Sequence, residues 1–379
     1  MHLRNAGETQ RGADRRESGY APGGDATAGR HRYAAVDLGT HNCRLMIAEA
    51  GADRRPHVVD TLSMAPRLGE GMVASGRLGE AAMARAMSSL DQCARRMRAA
   101  GVRESRAVAT EACRRAANGA AFLARVRQET GIGLRAISSD EESRLMLAGC
   151  EPLLDPGQPR ALLFDIGGGS TEVVWAAQEP GRPASALDVI SLPLGVVTLG
   201  ERLGTGHVAA DALTTAIDDI TEQLRPFDAL HAIGGELARG GVQMLGTSGT
   251  VTTLAAVVLG LRRYRRARID GIDMPFQDLA LLARRLAGCD PQERAAVPCV
   301  GIDRADLMVA GCAILCAIHR LWPAASLRIA DRGVREGLIF HMLDRLRQPN
   351  DTVRETALTS AASPDRRDVE HAEAGGSRP

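Results

Sequence analysis

Asp165-Ile166-Gly167-Gly168-Gly169-Ser170-Thr171-Glu172 is the stretch from which the fold can be read. An apolar run, Ala161-Leu162-Leu163-Phe164, precedes it, and Val173-Val174-Trp175 follows. Short apolar, β-branched or aromatic runs bounded by glycine read as strands, so the segment is strand, glycine turn, strand. Three successive glycines weaken a hairpin, and their use lies in backbone geometry. They leave main-chain N–H groups uncovered by side chains, which suits phosphate oxygens. Ser170 and Thr171 add hydroxyl donors. Asp165 and Glu172 bracket the turn as hard oxygen ligands for magnesium or manganese. The competing reading is a flexible hairpin tip.

The same order occurs earlier. Tyr33-Ala34-Ala35-Val36 runs into Asp37-Leu38-Gly39-Thr40-His41-Asn42, and a strand resumes at Arg44-Leu45-Met46-Ile47-Ala48. The two aspartates are 165 − 37 = 128 residues apart. That spacing predicts two similar α/β domains, each presenting a glycine turn, rather than a short-period solenoid. Gly39 lets the backbone approach a ligand, Thr40 and Asn42 offer donors, and Asp37 is placed to reach a metal directly or through water. Alone the motif is weak, and an ordinary β-turn is the commoner explanation of it. A third loop, Gly246-Thr247-Ser248-Gly249-Thr250, ends a strand (242–245) and opens an apolar helix. Hydroxyls and N–H groups at a helix start bind anions, but Ser and Thr there are also plain caps.

Two further stretches carry chemistry. Ser138-Ser139-Asp140-Glu141-Glu142-Ser143-Arg144 puts acids in the first turn of a helix, the ordinary capping pattern. It also lies where the first domain hands over to the second, so a carboxylate there is placed to activate a water. Arg114 follows a predicted strand (106–110), where its guanidinium would fork onto phosphate oxygens.

Composition bounds these readings. The 379 residues are 45% hydrophobic and 25% charged, which is globular, and only 3% aromatic, so the core is chiefly Ala, Leu, Val, Ile and Met. All 47 basic residues are arginine, which rules out a G-x-x-x-x-G-K loop. A net charge of +1 gives no bulk pull on nucleic acid or membranes. No apolar run approaches the ~18 residues a membrane span requires. Eight cysteines show neither C-x-x-C nor zinc spacing and read as buried reduced thiols of a cytoplasmic protein. The first thirty residues lack the apolar core of a secretory signal, and with 347–379 they read as disordered tails. Residues 1–31 are then a tail, 32–146 a first domain, 147–346 a second whose last helix returns to the first, and 347–379 another tail. Helices are expected at 79–99, 118–130, 209–225, 250–263, 276–287 and 305–320. Met83, Met87, Leu90 and Met97 share one face of the first of these and read as core.

Taken together, the stretches at 37–48, 109–119, 137–149, 165–174, 245–255 and 330–339 resemble the exopolyphosphatase / guanosine pentaphosphate phosphohydrolase family. That family lies within the actin-like, ribonuclease H-like superfamily of sugar kinases and heat-shock ATPases. The resemblance implies two actin-like α/β domains facing a cleft. It implies a magnesium- or manganese-dependent phosphohydrolase acting on polyphosphate or guanosine pentaphosphate, with no membrane or specific nucleic-acid partner and a possible homodimer. Glu142 matches the family's catalytic carboxylate, the base on the attacking water. Asp165 and Glu172 match its other essential acids, organising metal and water, and Arg114 matches a phosphate-contacting arginine. The turns at 37–42, 167–171 and 246–250 match phosphate-binding loops, and Arg67 a cleft residue. Ser139 and His41 depart from the usual residues beside the phosphates. Rival expectations are an ATP-dependent kinase or ATPase of the same fold, and a non-catalytic polyphosphate or nucleotide sensor.

Overall fold

The computed structural model describes residues 31–51, 56–204 and 206–345, the side chain of residue 303 apart. The expected terminal tails, His31 aside, lie outside the described residues. The first lobe begins as an antiparallel meander, β1 (Arg32–Leu38), β2 (Cys43–Ala50) and β3 (Pro56–Met64). A one-turn helix α1 (Met72–Ser75) and the long α2 (Glu80–Ala99) follow. Then come β4 (Glu104–Ala109), α3 (Glu111–Arg115), α4 (Gly119–Thr130), β5 (Leu134–Ala136) and α5 (Ser139–Cys150). The sheet order is β3-β2-β1-β4-β5, with β1, β4 and β5 parallel. The methionine stripe of α2 is core: Met83, Met87 and Leu90 are buried and Met97 packs beside them.

The second lobe repeats the plan. β6 (Arg160–Ile166), β7 (Thr171–Ala177) and β8 (Ser185–Leu192) form the meander. Helices α6 (Val196–Leu203), α7 (Ala210–His231) and α8 (Ile233–Ala238) lead to β9 (Val242–Thr247) and α9 (Gly249–Val258). The edge strand β10 (Asp273–Pro275), α10 (Phe276–Gly288), α11 (Pro291–Ala296), α12 (Ile302–Leu321), β11 (Ser326–Ala330) and α13 (Val334–Arg345) complete it. The order β10-β11-β9-β6-β7-β8 matches the first sheet strand for strand, with β10 added at the edge. The duplication expected from the two aspartates is therefore a repeated topology of mixed α/β sheets.

Several elements differ from their sequence-based limits. α7 continues to His231 through Pro226, which removes one donor without ending the helix. The helix expected to reach 263 stops at Val258, where Gly260 takes φ 64°. β8 and α6 had no sequence-based counterpart. The expected limit between 146 and 147 falls inside α5, which packs against both sheets. Leu145 joins a core with Tyr33, Ala35 and Met46, while Met146, Leu147 and Cys150 join Leu163, Val174 and Leu245 of the second sheet. α13 leaves the second sheet and buries Val334, Leu338, Ile339 and Met342 against β1 and β2. α5 and α13 cross closely: a Cβ on Gly149 would meet the Gly333 carbonyl oxygen at 2.1 Å. This clamp fixes the start of α5 over the cleft.

Candidate active site

The cleft between the sheets holds a cavity of about 480 Å³. Its floor comes from two hairpin turns of the same build. In the first, Asp37 pairs with Arg44 across the hairpin and Gly39 N–H donates to the Asn42 carbonyl at 2.8 Å. In the second, Asp165 pairs with Glu172 and Gly167 N–H donates to the Ser170 carbonyl at 2.9 Å. The turns face each other across the cavity. A Cβ on Gly168 would lie 2.9 Å from the His41 backbone nitrogen, and one on Gly169 2.5 Å from Thr40 Oγ1. Glycine is what permits this approach. Thr40 Oγ1 and His41 Nδ1 are buried beside the cavity and have no hydrogen-bond partner among the described residues. Buried polar atoms are nearly always satisfied, so these two sit ready for a bound group.

Glu142 enters from the start of α5. Ser138 caps that helix, accepting from Glu141 N–H at 3.1 Å. Three acids occupy the first turn and they part company. Asp140 pairs with Arg144 at 2.9 Å and Glu141 with Arg135, both at the surface. Glu142 turns inward, only 9% exposed, and lines the cavity. Capping and site therefore coexist in one turn. Arg114 Nη1 donates to the Ile137 carbonyl at 2.7 Å and to Glu142 Oε2 at 3.3 Å, while Nη2 bonds Glu111. The expected fork onto phosphate is thus turned onto carboxylates, because Glu111, one turn earlier on α3, captures the guanidinium.

Other expected residues divide. Gly39, Thr40, Asn42, Arg67, Gly167, Gly168, Gly169, Ser170, Ser248, Gly249 and Thr250 line the cavity together with Asp37 and Asp165. Gly246 does not: it is a packing glycine within β9, where a Cβ would meet Phe164 at 2.7 Å. Thr171 is buried and its hydroxyl donates to the Leu194 carbonyl at 2.8 Å. Glu172 lies behind the second turn, accepting from the Ser191 hydroxyl at 3.0 Å. Ser248 serves as the α9 cap, accepting from Val251 N–H at 3.2 Å. It does so at φ 126°, and Arg67 stands at φ 52°. Strained backbone of this kind clusters where geometry is constrained by function.

The sequence reading missed Arg44, Arg304, Arg332 and Glu111, all of which line the cavity. Arg44 was within reach, since it occupies the hairpin position that Glu172 holds in the second copy. Arg304 carried no local signal, and Arg332, although inside the stretch 330–339, was not singled out. Arg304 Nη1 donates to Thr253 at 2.8 Å, Arg332 Nε to Asp270 at 2.9 Å, and Arg67 Nη1 to Asp306 at 2.8 Å.

Four carboxyls are crowded here, and burial pushes all of them upward. Asp165 rises to about 6, from burial first, offset by Arg44. Asp37 rises through burial against Arg44 and Arg335. Glu172 and Glu142 rise through burial and then through neighbouring carboxylates, with Arg114 opposing. His41 is pushed down to about 4 by burial and by Arg67, so it is neutral at pH 7. Among the described residues no three His, Cys, Asp or Glu side chains form a ready-made metal cluster. The six buried cysteines and the two half-buried ones are all free thiols.

Comparison with known proteins agrees with this arrangement. The description Ppx/GppA phosphatase family matches residues 46–346. Exopolyphosphatase 2 of Mycobacterium tuberculosis is 32% identical over 293 residues, covering 75% of this chain and 88% of that protein. The crystal structure of an Aquifex aeolicus member of the family superposes with a TM-score of 0.67 at 26% identity, covering 84% of this chain and 99% of the other. An exopolyphosphatase from Cytophaga hutchinsonii shares the fold with a TM-score of 0.74 at 24% identity, over 83% and 98% of the two chains. With the duplicated lobes and the paired glycine turns, these matches mean that the chain belongs to the Ppx/GppA phosphatase family.

Proposed function

We propose that this phosphatase releases the terminal phosphate of inorganic polyphosphate or of guanosine pentaphosphate, by attack of water with Glu142 as general base. The observation that carries this reading is a buried carboxylate aimed into a cavity floored by two anion-binding turns. The naming of relatives as exopolyphosphatases supports polyphosphate as the substrate class. The turn N–H groups and Thr40 Oγ1 hold phosphoryl oxygens, and Arg44, Arg67, Arg304 and Arg332 balance their charge. Arg114 orients the Glu142 carboxylate through Oε2. Glu142 takes the proton as the water oxygen bonds phosphorus and the bridging oxygen leaves with the shortened chain.

A divalent cation fits the site on the chemistry of its donors. Asp37 and Asp165 present hard oxygens from opposite lobes, and burial, which raises the proton affinity of both, equally favours a cation beside them. Two carboxylates with water and phosphate oxygens suit magnesium, which keeps several waters. Glu172, behind the turn, would support Asp165 rather than touch the ion. Bound there, magnesium or manganese would supply positive charge to the transferring phosphoryl oxygens.

Phosphate release from short polyphosphate, long polyphosphate and guanosine pentaphosphate, assayed side by side in magnesium, tests the substrate. Glu142→Gln should cut kcat by about two orders of magnitude or more while polyphosphate binding persists. Near-wild-type turnover would remove Glu142 from the mechanism. ATP-dependent phosphorylation of an acceptor, with no release from polyphosphate, would replace the hydrolase with a kinase.

A further inference from the structure

Arg262-Arg263-Tyr264-Arg265-Arg266-Ala267-Arg268 places five arginines in seven residues of a chain whose net charge is only +1. Two side chains pin this segment to the lip of the catalytic cavity. The Tyr264 hydroxyl donates to Asp331 Oδ2 at 2.7 Å. Arg266 Nη2 donates to the Asp331 carbonyl at 2.7 Å and to Glu336 at 3.0 Å. Asp331 is followed directly by Arg332, which lines the cavity. The remaining four, Arg262, Arg263, Arg265 and Arg268, are exposed, and their side chains make no hydrogen bond or ion pair among the described residues. Clustered like charges repel unless an anion lies among them.

We propose that Arg262, Arg263, Arg265 and Arg268 form an outer anion-binding surface for the part of a long polyphosphate chain that extends beyond the catalytic cavity. The inference rests on the polyphosphate reading above and adds a chain-length preference to it. Tyr264 and Arg266 tie the segment to Asp331, the chain neighbour of the cavity arginine Arg332, so the exposed four are carried on a segment anchored at the cavity's lip. A polymer with one charge per phosphate needs only such unpaired cations. Single-stranded nucleic acid is bound by aromatic platforms as well as by charge. The one aromatic ring in this segment is tied by its hydroxyl to Asp331.

The test replaces all four residues with Gln. They are surface side chains without partners, so the fold should stand. For tripolyphosphate, kcat/KM should stay within about twofold of the unsubstituted protein. For long-chain polyphosphate, KM should rise about tenfold or more with kcat little changed, and its dependence on salt should flatten as cation contacts are lost. An unchanged long-chain KM, or an equal rise for both substrates, overturns the proposal. Binding of labelled long-chain polyphosphate and of single-stranded RNA is measured in the Glu142→Gln background, with and without the four changes. Loss of polyphosphate binding supports the surface. Loss of RNA binding alone overturns it and assigns the patch to nucleic acid. If the unsubstituted protein releases no phosphate from any polyphosphate, the substrate reading and this surface fall together. Hydrolysis without a length effect in the variant removes the surface alone.

Discussion

Asp165 shows how a single carboxyl is held at a cost for the sake of the site. Burial pushes it up to about 6 from an ordinary aspartate's 3.8, so the native state holds a proton that the unfolded chain releases. Its contribution to stability is therefore fully present below pH 3.8 and lost as pH rises through about 6. The whole shift corresponds to at most about 3 kcal/mol, less where cavity water screens it. His41 works in the opposite sense: its contribution is present above 6.5 and lost as pH falls through about 4. Comparing variants separates the two. In chelator, Asp165→Asn should match the unsubstituted protein near pH 4 and be the more stable of the two at pH 7. Urea unfolding at both values measures this. A variant equally or less stable at pH 7 would mean that the carboxylate is already compensated by Arg44.

The two hairpins show what is asked of a secondary-structure element here. Each must turn sharply between buried strands and leave its N–H groups open. The second must also press against the first. Gly169 meets that demand most tightly, since a Cβ there would lie 2.5 Å from Thr40 Oγ1 and 2.9 Å from Glu111 Cγ. Thr40 is buried, and Glu111 carries Arg114, so neither gives way without disturbing the base. Gly169→Ala should fold, because the change is confined to a turn, and should lose about tenfold or more in kcat. Steady-state kinetics alongside circular dichroism would check it, and undiminished turnover would show that the turns need not stay in contact.

The arrangement of the lobes brings Asp37 and Asp165 to one cavity although 128 residues separate them (165 − 37). Further contacts bridge the cleft. Arg67 pairs with Asp306, and Glu201 accepts from the Gly71 and Val73 N–H groups. A cation shared by the two aspartates would tie the lobes together and compete with protons for the same oxygens. Magnesium should therefore raise the melting temperature more at pH 7.5 than at pH 5, and chelation should reverse the gain. Differential scanning calorimetry decides this. An equal rise at both pH values would place the cation away from these carboxylates.

Much of this protein was legible from local chemistry. Glycine turns between apolar strands, repeated after 128 residues, specify hairpins by backbone sterics alone, and the α2 methionines specify a buried face by periodicity. The family resemblance singled out Glu142, but local chemistry alone did not mark it as the inward one among three acids, because capping explains all three equally until α13 and both sheets orient α5. Only the packed structure turned Arg114 onto Glu111, set Gly246 into the sheet and brought Arg304 and Arg332 to the cavity wall. The physical reason is range. Strand, turn and cap are decided by neighbours a few residues away. Which side chains share a cavity is decided by how two sheets close on one helix, and no local pattern carries that.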